Sequence, residues 1–146
     1  MPAHLIDTLS AFEKSGANAR QLRMTIDSNI VIAFIKGEER VVQQLFRWKQ
    51  TNQPLLLSPI VEAEVLGFPE FSSEERRRTA LFLEENFASI PCDRTIAYQA
   101  AVLRGTTTIK LQDALIAATA LVTNTPLVTR NVKDFKKVPE LTIVKI

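Results

Sequence analysis

Cysteine and histidine are almost missing from this sequence, each occurring once, as Cys92 and His4. A single cysteine excludes an internal disulfide and a cysteine-rich metal site, and Cys92 reads as a buried thiol. His4 stands in an N-terminal segment apart from the α/β body outlined below. No Ser-His or Cys-His couple can therefore be drawn within that body, which excludes hydrolysis through a nucleophile elbow. Zinc would need His or Cys ligands that are not there. Glycine is scarce as well: Gly16, Gly37, Gly67 and Gly105 stand alone. Neither the G-x-G-x-x-G turn nor the G-x-x-x-x-G-K loop exists, so dinucleotide and P-loop nucleotide binding lose their support. No apolar run approaches the ~18 residues that span a bilayer, and no signal-peptide core is expected. A cytoplasmic protein is the expectation. The net charge is only +2, so any nucleic-acid partner must be argued from a site and not from total charge.

What is present fits one soluble domain. The chain has 146 residues, 46% of them hydrophobic and 23% charged, enough to bury a core without staples. Leu5, Ile6, Leu9 and Phe12 recur at helical spacing, so residues 1–23 read as an appended amphipathic helix. The α/β body follows over 24–146. Met24 to Ile26 reads as a strand running into Asp27, Ser28 and Asn29 and a short helix. Glu39 to Lys49 reads as a helix carrying Val41, Val42, Leu45, Phe46 and Trp48. Pro54 to Leu57 is a short apolar strand of the kind covered on both faces, and the helix after it carries Val61, Ala63, Val65 and Leu66 and stops near Gly67. Ser72 or Ser73 caps the next helix, whose buried stripe is expected at Ala80, Leu81, Leu83 and Phe87. Ile90 ends a weak strand, Ile96 to Leu103 and Asp113 to Val122 are helices, Pro126 to Thr129 is a strand, and Leu141 to Ile146 closes the chain as another. A short helical turn carries Val132 and Phe135. Strands alternating with helices predict an α/β class with a central parallel sheet covered by helices on both faces.

With histidine and cysteine chemistry gone, carboxylates and the hard cations they bind remain. Ligands of parallel α/β sheets sit outside the carboxyl ends of the strands. Asp27 directly follows the first strand, where it serves equally well as a helix N-cap. Glu64 lies on the helix after the second strand, where a surface glutamate is the plain alternative and Glu62 is a neighbour easily confused with it. Asp113 opens a helix of small and apolar residues. The helix dipole favours an acid there, and burial would oblige it to find a partner or a cation. Three acids at one end of successive βα units repel one another, and Mg²⁺ or Mn²⁺ relieves that repulsion.

Several segments resemble a known family. Asp27-Ser28-Asn29-Ile30-Val31-Ile32 looks like the opening motif of PIN domains, and Ala63-Glu64-Val65-Leu66-Gly67 is similar to their second. Asp113 to Ala120 resembles the third, and Leu127 to Phe135 is similar to the fourth; the combination resembles VapC-type toxins. The resemblance runs from Met24 to Ile146, and each motif is specific only as part of the set. It implies a PIN-like three-layer fold, a Mg²⁺- or Mn²⁺-dependent endoribonuclease leaving a 3′-hydroxyl and a 5′-phosphate, a homodimer, and a cognate antitoxin. Asp27, Glu64 and Asp113 would hold the metal, with Ser28, Asn29, Thr129 and Asn131 orienting them. Asn131 stands where many PIN domains carry an acid. Asp134, three residues later on the same helical face, is the candidate fourth acid for a second cation or its water. Ser28 replaces a more usual threonine, and Gly105 to Gln112 is less typical. Residues 1–23 have no counterpart in the motifs, leaving Met24 as an alternative start or the segment as a dimer or partner helix.

An acidic pocket that takes RNA needs a basic rim, and Arg104, Lys110, Arg130, Lys133, Lys136 and Lys137 are candidates for phosphate contact. Arg76-Arg77-Arg78 alternates with acids and reads as a solvated helix face. Rival readings are a Mg²⁺ phosphohydrolase of the haloacid-dehalogenase kind, which would want an acid at Asn29. A phosphate-receiver module would want a phosphoacceptor where Cys92-Asp93 offers a poor imitation, and a catalytically silent PIN-like scaffold would only bind a partner.

Overall fold

The strand β1 (Met24–Ile26) is three residues long and wholly buried, which only a central strand covered on both faces can be. In the computed structural model, which describes residues 23–146, β1 lies in the middle of a five-stranded, all-parallel sheet. The other strands are β2 (Leu55–Leu57), β3 (Ala88–Ser89), β4 (Leu127–Val128) and β5 (Ile143–Val144), in the order β3-β2-β1-β4-β5. Met24 pairs with Leu55 on one side, and Thr25 with Leu127 on the other. The chain thus winds outward in one direction through β2 and β3, then returns past β1 to β4 and β5. The appended helix expected over residues 1–23 lies outside the described residues but for Arg23.

Seven helices among the described residues connect and cover the strands: α1 (Ser28–Ile35), α2 (Glu39–Gln50), α3 (Pro59–Leu66), α4 (Ser73–Asn86), α5 (Arg94–Thr106), α6 (Leu111–Val122) and α7 (Val132–Phe135). The result is the expected three-layer α/β architecture. The caps are local and legible. Ser58 accepts from the Ile60 amide with Pro59 at the first helical position of α3, where its missing N–H costs nothing. Ser72 and Glu75 form a reciprocal capping box on α4, a device that stabilises a helix start by about 1 kcal/mol. Ala114, Ala117, Ala118 and Ala120 of α6 are fully buried. Their small side chains let this helix pack closely along α5 and also meet α3, α7 and β1. No helix among the described residues is long and apolar enough to cross a membrane.

Four expectations fail locally. Cys92 is exposed, not buried, because it lies in the loop between β3 and the α5 cap Asp93, where backbone runs over the surface. Leu81 is 45% exposed: the core face of α4 is rotated so that Leu83 is buried and Phe82 stacks on Phe34 at 5.2 Å. Phe46 on α2 is also largely exposed, while Val41, Leu45 and Trp48 carry the burial. The helix expected from Asp113 starts two residues earlier, at Leu111, so Asp113 is third in α6 and not its first residue.

Candidate active site

Asp27 is buried and held from several directions. As N-cap of α1 it accepts the Ser28 amide through Oδ1 at 2.7 Å. Its Oδ2 accepts the Thr129 hydroxyl at 2.7 Å and the Asn29 side-chain amide at 3.3 Å. The capping and pocket readings are thus compatible: the cap fixes one oxygen and the end of β4 fixes the other. Asn29 bridges further, donating to Thr129 Oγ1 at 3.3 Å and accepting the Arg130 amide at 3.3 Å. Burial raises the Asp27 carboxyl above its ordinary range; the bonds from Thr129 and Ser28 oppose this, and the charge of Glu64 adds to it.

Asp113 and Glu64 complete the acid group differently. Each accepts no hydrogen bond among the described residues. Asp113, half-buried in the first turn of α6, is raised by burial first and then by the charges of Asp27 and Asp134, with Lys110 and Lys137 opposing. Glu64 is half-buried on α3 and acts on Asp27 by its charge. Its neighbour Glu62 is occupied elsewhere, accepting the Ser89 hydroxyl at the edge of β3 at 2.6 Å. Residues two apart on a helix point to different sides, so Glu64, not Glu62, belongs to the pocket.

Asp134 borders this group from α7. It accepts the Asn131 side-chain amide at 3.0 Å and pairs with Lys137 at 3.7 Å. Asn131's hydrogen bond holds it below the usual carboxylate range, helped by Lys137, Lys110 and Lys133. Lys110, Lys133 and Lys137 therefore form a cationic margin beside Asp113 and Asp134. Arg104 is exposed near the end of α5, and nothing in the structure ties it to the acids. Arg130 departs from its expected place as a free phosphate contact. Its guanidinium forks onto Glu38, at 2.9 and 2.5 Å. Ser28 contributes mainly its backbone amide, its hydroxyl standing 3.5 Å from Asp27. Glu38 went unrecognised in the sequence because its partner is 92 residues away and no local pattern marks the pair. Arg77 and Arg78 bond to Glu74 on the outside of α4, as expected of a solvated face.

The donors fit a hard divalent cation in kind: carboxylates, two of them (Asp113 and Glu64) accepting no hydrogen bond among the described residues, whose mutual repulsion a cation would relieve. Among the described residues, no three acidic, His or Cys side chains are gathered tightly enough to form a ready cage.

With this geometry in view, comparison with known proteins is informative. A family model described as PIN domain matches residues 24–141. The chain is 31% identical over 133 residues to Ribonuclease VapC of Rickettsia bellii (strain RML369-C), covering 84% of this chain and 96% of the relative. A solved toxin-antitoxin complex from Klebsiella pneumoniae aligns with TM-score 0.70 and 32% identity, over 83% of this chain and 95% of that one. VapBC-1 from nontypeable Haemophilus influenzae aligns with TM-score 0.72 and 26% identity, over 84% and 97%. The chain belongs to the PIN-domain family and, within it, to the VapC ribonucleases.

Proposed function

We propose that this protein is a VapC-type toxin, an endoribonuclease that hydrolyses RNA with a divalent cation, Mg²⁺ or Mn²⁺, and is restrained by a cognate antitoxin. The observation that carries the reading is the buried Asp27 with Asp113 and Glu64 charged against it, on a chain similar over 84% of its length to a named ribonuclease. The solved relatives described as toxin-antitoxin complexes support the antitoxin partner. The alternatives weaken correspondingly. A phosphatase would need an acid where Asn29 stands, and Cys92-Asp93 lies in a surface loop with Asp93 engaged as a helix cap.

Asp27, Asp113 and Glu64 would hold the cation, and Asp134 would meet a second ion or its water. When bound, the cation lowers the pKa of a water and offsets charge building on the phosphate. Thr129 and Asn29 aim Asp27 by donating to it, while Asn131 does the same for Asp134. No histidine is available in the body of the chain, so an oxygen base would take the proton leaving the attacking water. Lys110, Lys133 and Lys137 draw the RNA backbone toward an otherwise repellent pocket.

The test is cleavage of RNA by the purified chain. Activity should vanish in excess chelator and return on adding Mg²⁺ or Mn²⁺, whereas full-rate cleavage in chelator would refute the reading. A homodimer is part of the same proposal. Ala97, Tyr98, Ala101 and Val102 leave an apolar face on α5, with Tyr98 74% exposed, and such faces on small domains are commonly covered by a second copy. Sedimentation at micromolar concentration should give twice the chain mass, and a monomer mass would remove this part.

A further inference from the structure

The three residues after β4 each touch a different part of the acid pocket. Thr129 donates to Asp27, the Arg130 amide donates to Asn29, and Asn131 donates to Asp134. The stretch lies between β4 and α7: the Thr129 amide still bonds to Val144 of the β5 side and Asn131 caps α7, while the Arg130 between them takes part in neither ladder. The Arg130 side chain reaches outward from it to two further parts of the fold. Its Nη1 and Nη2 donate to both oxygens of Glu38, which follows the turn between α1 and α2, and its Nε donates to the main-chain oxygen of Ile146 at 3.3 Å, beyond β5. A fork of two parallel bonds fixes direction as well as distance. The pair is partly open to solvent, with side chains 34% and 46% exposed, and such pairs contribute little to global stability. Its effect is local.

We propose that Arg130 is a positioning residue, tied by Glu38 and Ile146 so that Thr129 and Asn131 hold Asp27 and Asp134 in the geometry that cleavage requires. The claim rests on the ribonuclease reading for its catalytic consequence, but not for its structural one. Glu38 touches none of the acids, so Glu38→Gln separates the two roles Arg130 could have. If Arg130 positions, Glu38→Gln lowers kcat by roughly 10-fold with little change in KM, the scale of losing a partner behind a ligand. If Arg130 instead grips RNA, freeing it from Glu38 lowers KM and leaves kcat unchanged, which overturns the proposal. Arg130→Lys keeps the charge but not the fork, so positioning predicts a kcat loss like that of Glu38→Gln, and retention of full turnover overturns it. Amide hydrogen exchange of Arg130 and Asn131, measured without RNA, should quicken by about 10-fold or more in Glu38→Gln while α6 is unaffected. Unchanged exchange overturns the proposal even if the wild-type chain cleaves no RNA, an outcome that would by itself remove only the function proposed above.

Discussion

Asp113→Asn is expected to abolish RNA cleavage, by more than about 100-fold, and at the same time to raise the melting temperature of the metal-free protein at neutral pH. The loss follows because an amide neither balances a cation nor accepts a proton. The gain follows from linkage. Burial, then Asp27, then Asp134 raise the Asp113 carboxyl above its ordinary value near 3.8, so between that value and the raised one the folded chain binds more protons than the unfolded chain. Stability therefore falls as pH rises through this window. The ionised group is a liability above it, and the amide removes that liability. Asp113 is suited to the test because it accepts no hydrogen bond among the described residues that the amide would break, unlike Asp27. Thermal melts in chelator should show the variant above wild type at pH 7, with the difference shrinking as pH is lowered toward 4. Added Mn²⁺ should lift the wild type more than the variant. A variant that melts below wild type at pH 7 would mean that Asp113 is not held against other negative charge, and one that cleaves normally would remove it from the site.

Phe135→Ala carries the largest expected loss of stability. Phe135 is fully buried in α7, a helix of only four residues. So short a helix has almost no stability of its own, and it stays in place because Phe135 is anchored in the core. Truncating a buried phenylalanine typically costs about 3–5 kcal/mol, a large share of the roughly 5–15 kcal/mol that holds a domain folded. Urea titration should show the midpoint falling with the slope unchanged, and a loss under about 1 kcal/mol would show that α7 is held by something else. Residual activity in the folded fraction should also drop, since Asn131 and Asp134 flank the anchor. Ile146 and Arg130 cannot substitute for it, because they hold the segment before α7 and not the helix itself.

How far the sequence could be read depended on how local each determinant is. Every strand was placed to within a few residues; β1, β2 and β4 were the plainest, because short apolar runs between polar turns mark strands buried on both faces. Ser72 at the start of α4 was legible because a cap and its partner Glu75 are three residues apart. The rotation of α4 was not. Leu81, Phe82 and Leu83 are consecutive apolar residues, and which of them faces inward is decided by Phe34 on another helix. Cys92 misled because thiols are usually buried, while the loop around Pro91 and Asp93 left it outside. At the site, Asp27, Glu64 and Asp113 could be named as candidates from their positions after apolar strands or at the start of an apolar helix. Glu64 is set apart from Glu62 by the motif it resembles, and the bond from Ser89 to Glu62 adds the physical reason. Arg130, expected among the phosphate contacts, is engaged with Glu38, a partner that nothing in the sequence near either residue announces.

The strand order has a consequence for how the chain comes into being. β1 emerges early from the ribosome but finds one of its two neighbours in β4, and Asp27 receives its Thr129 bond from a residue 102 positions later. Contacts of such separation form late, after the entropy of closing a long loop has been met. A nascent chain halted anywhere before Thr129 has Asp27 without this bond and no α7 at all. The acid pocket of a growing polypeptide of this kind therefore closes only when synthesis is nearly finished.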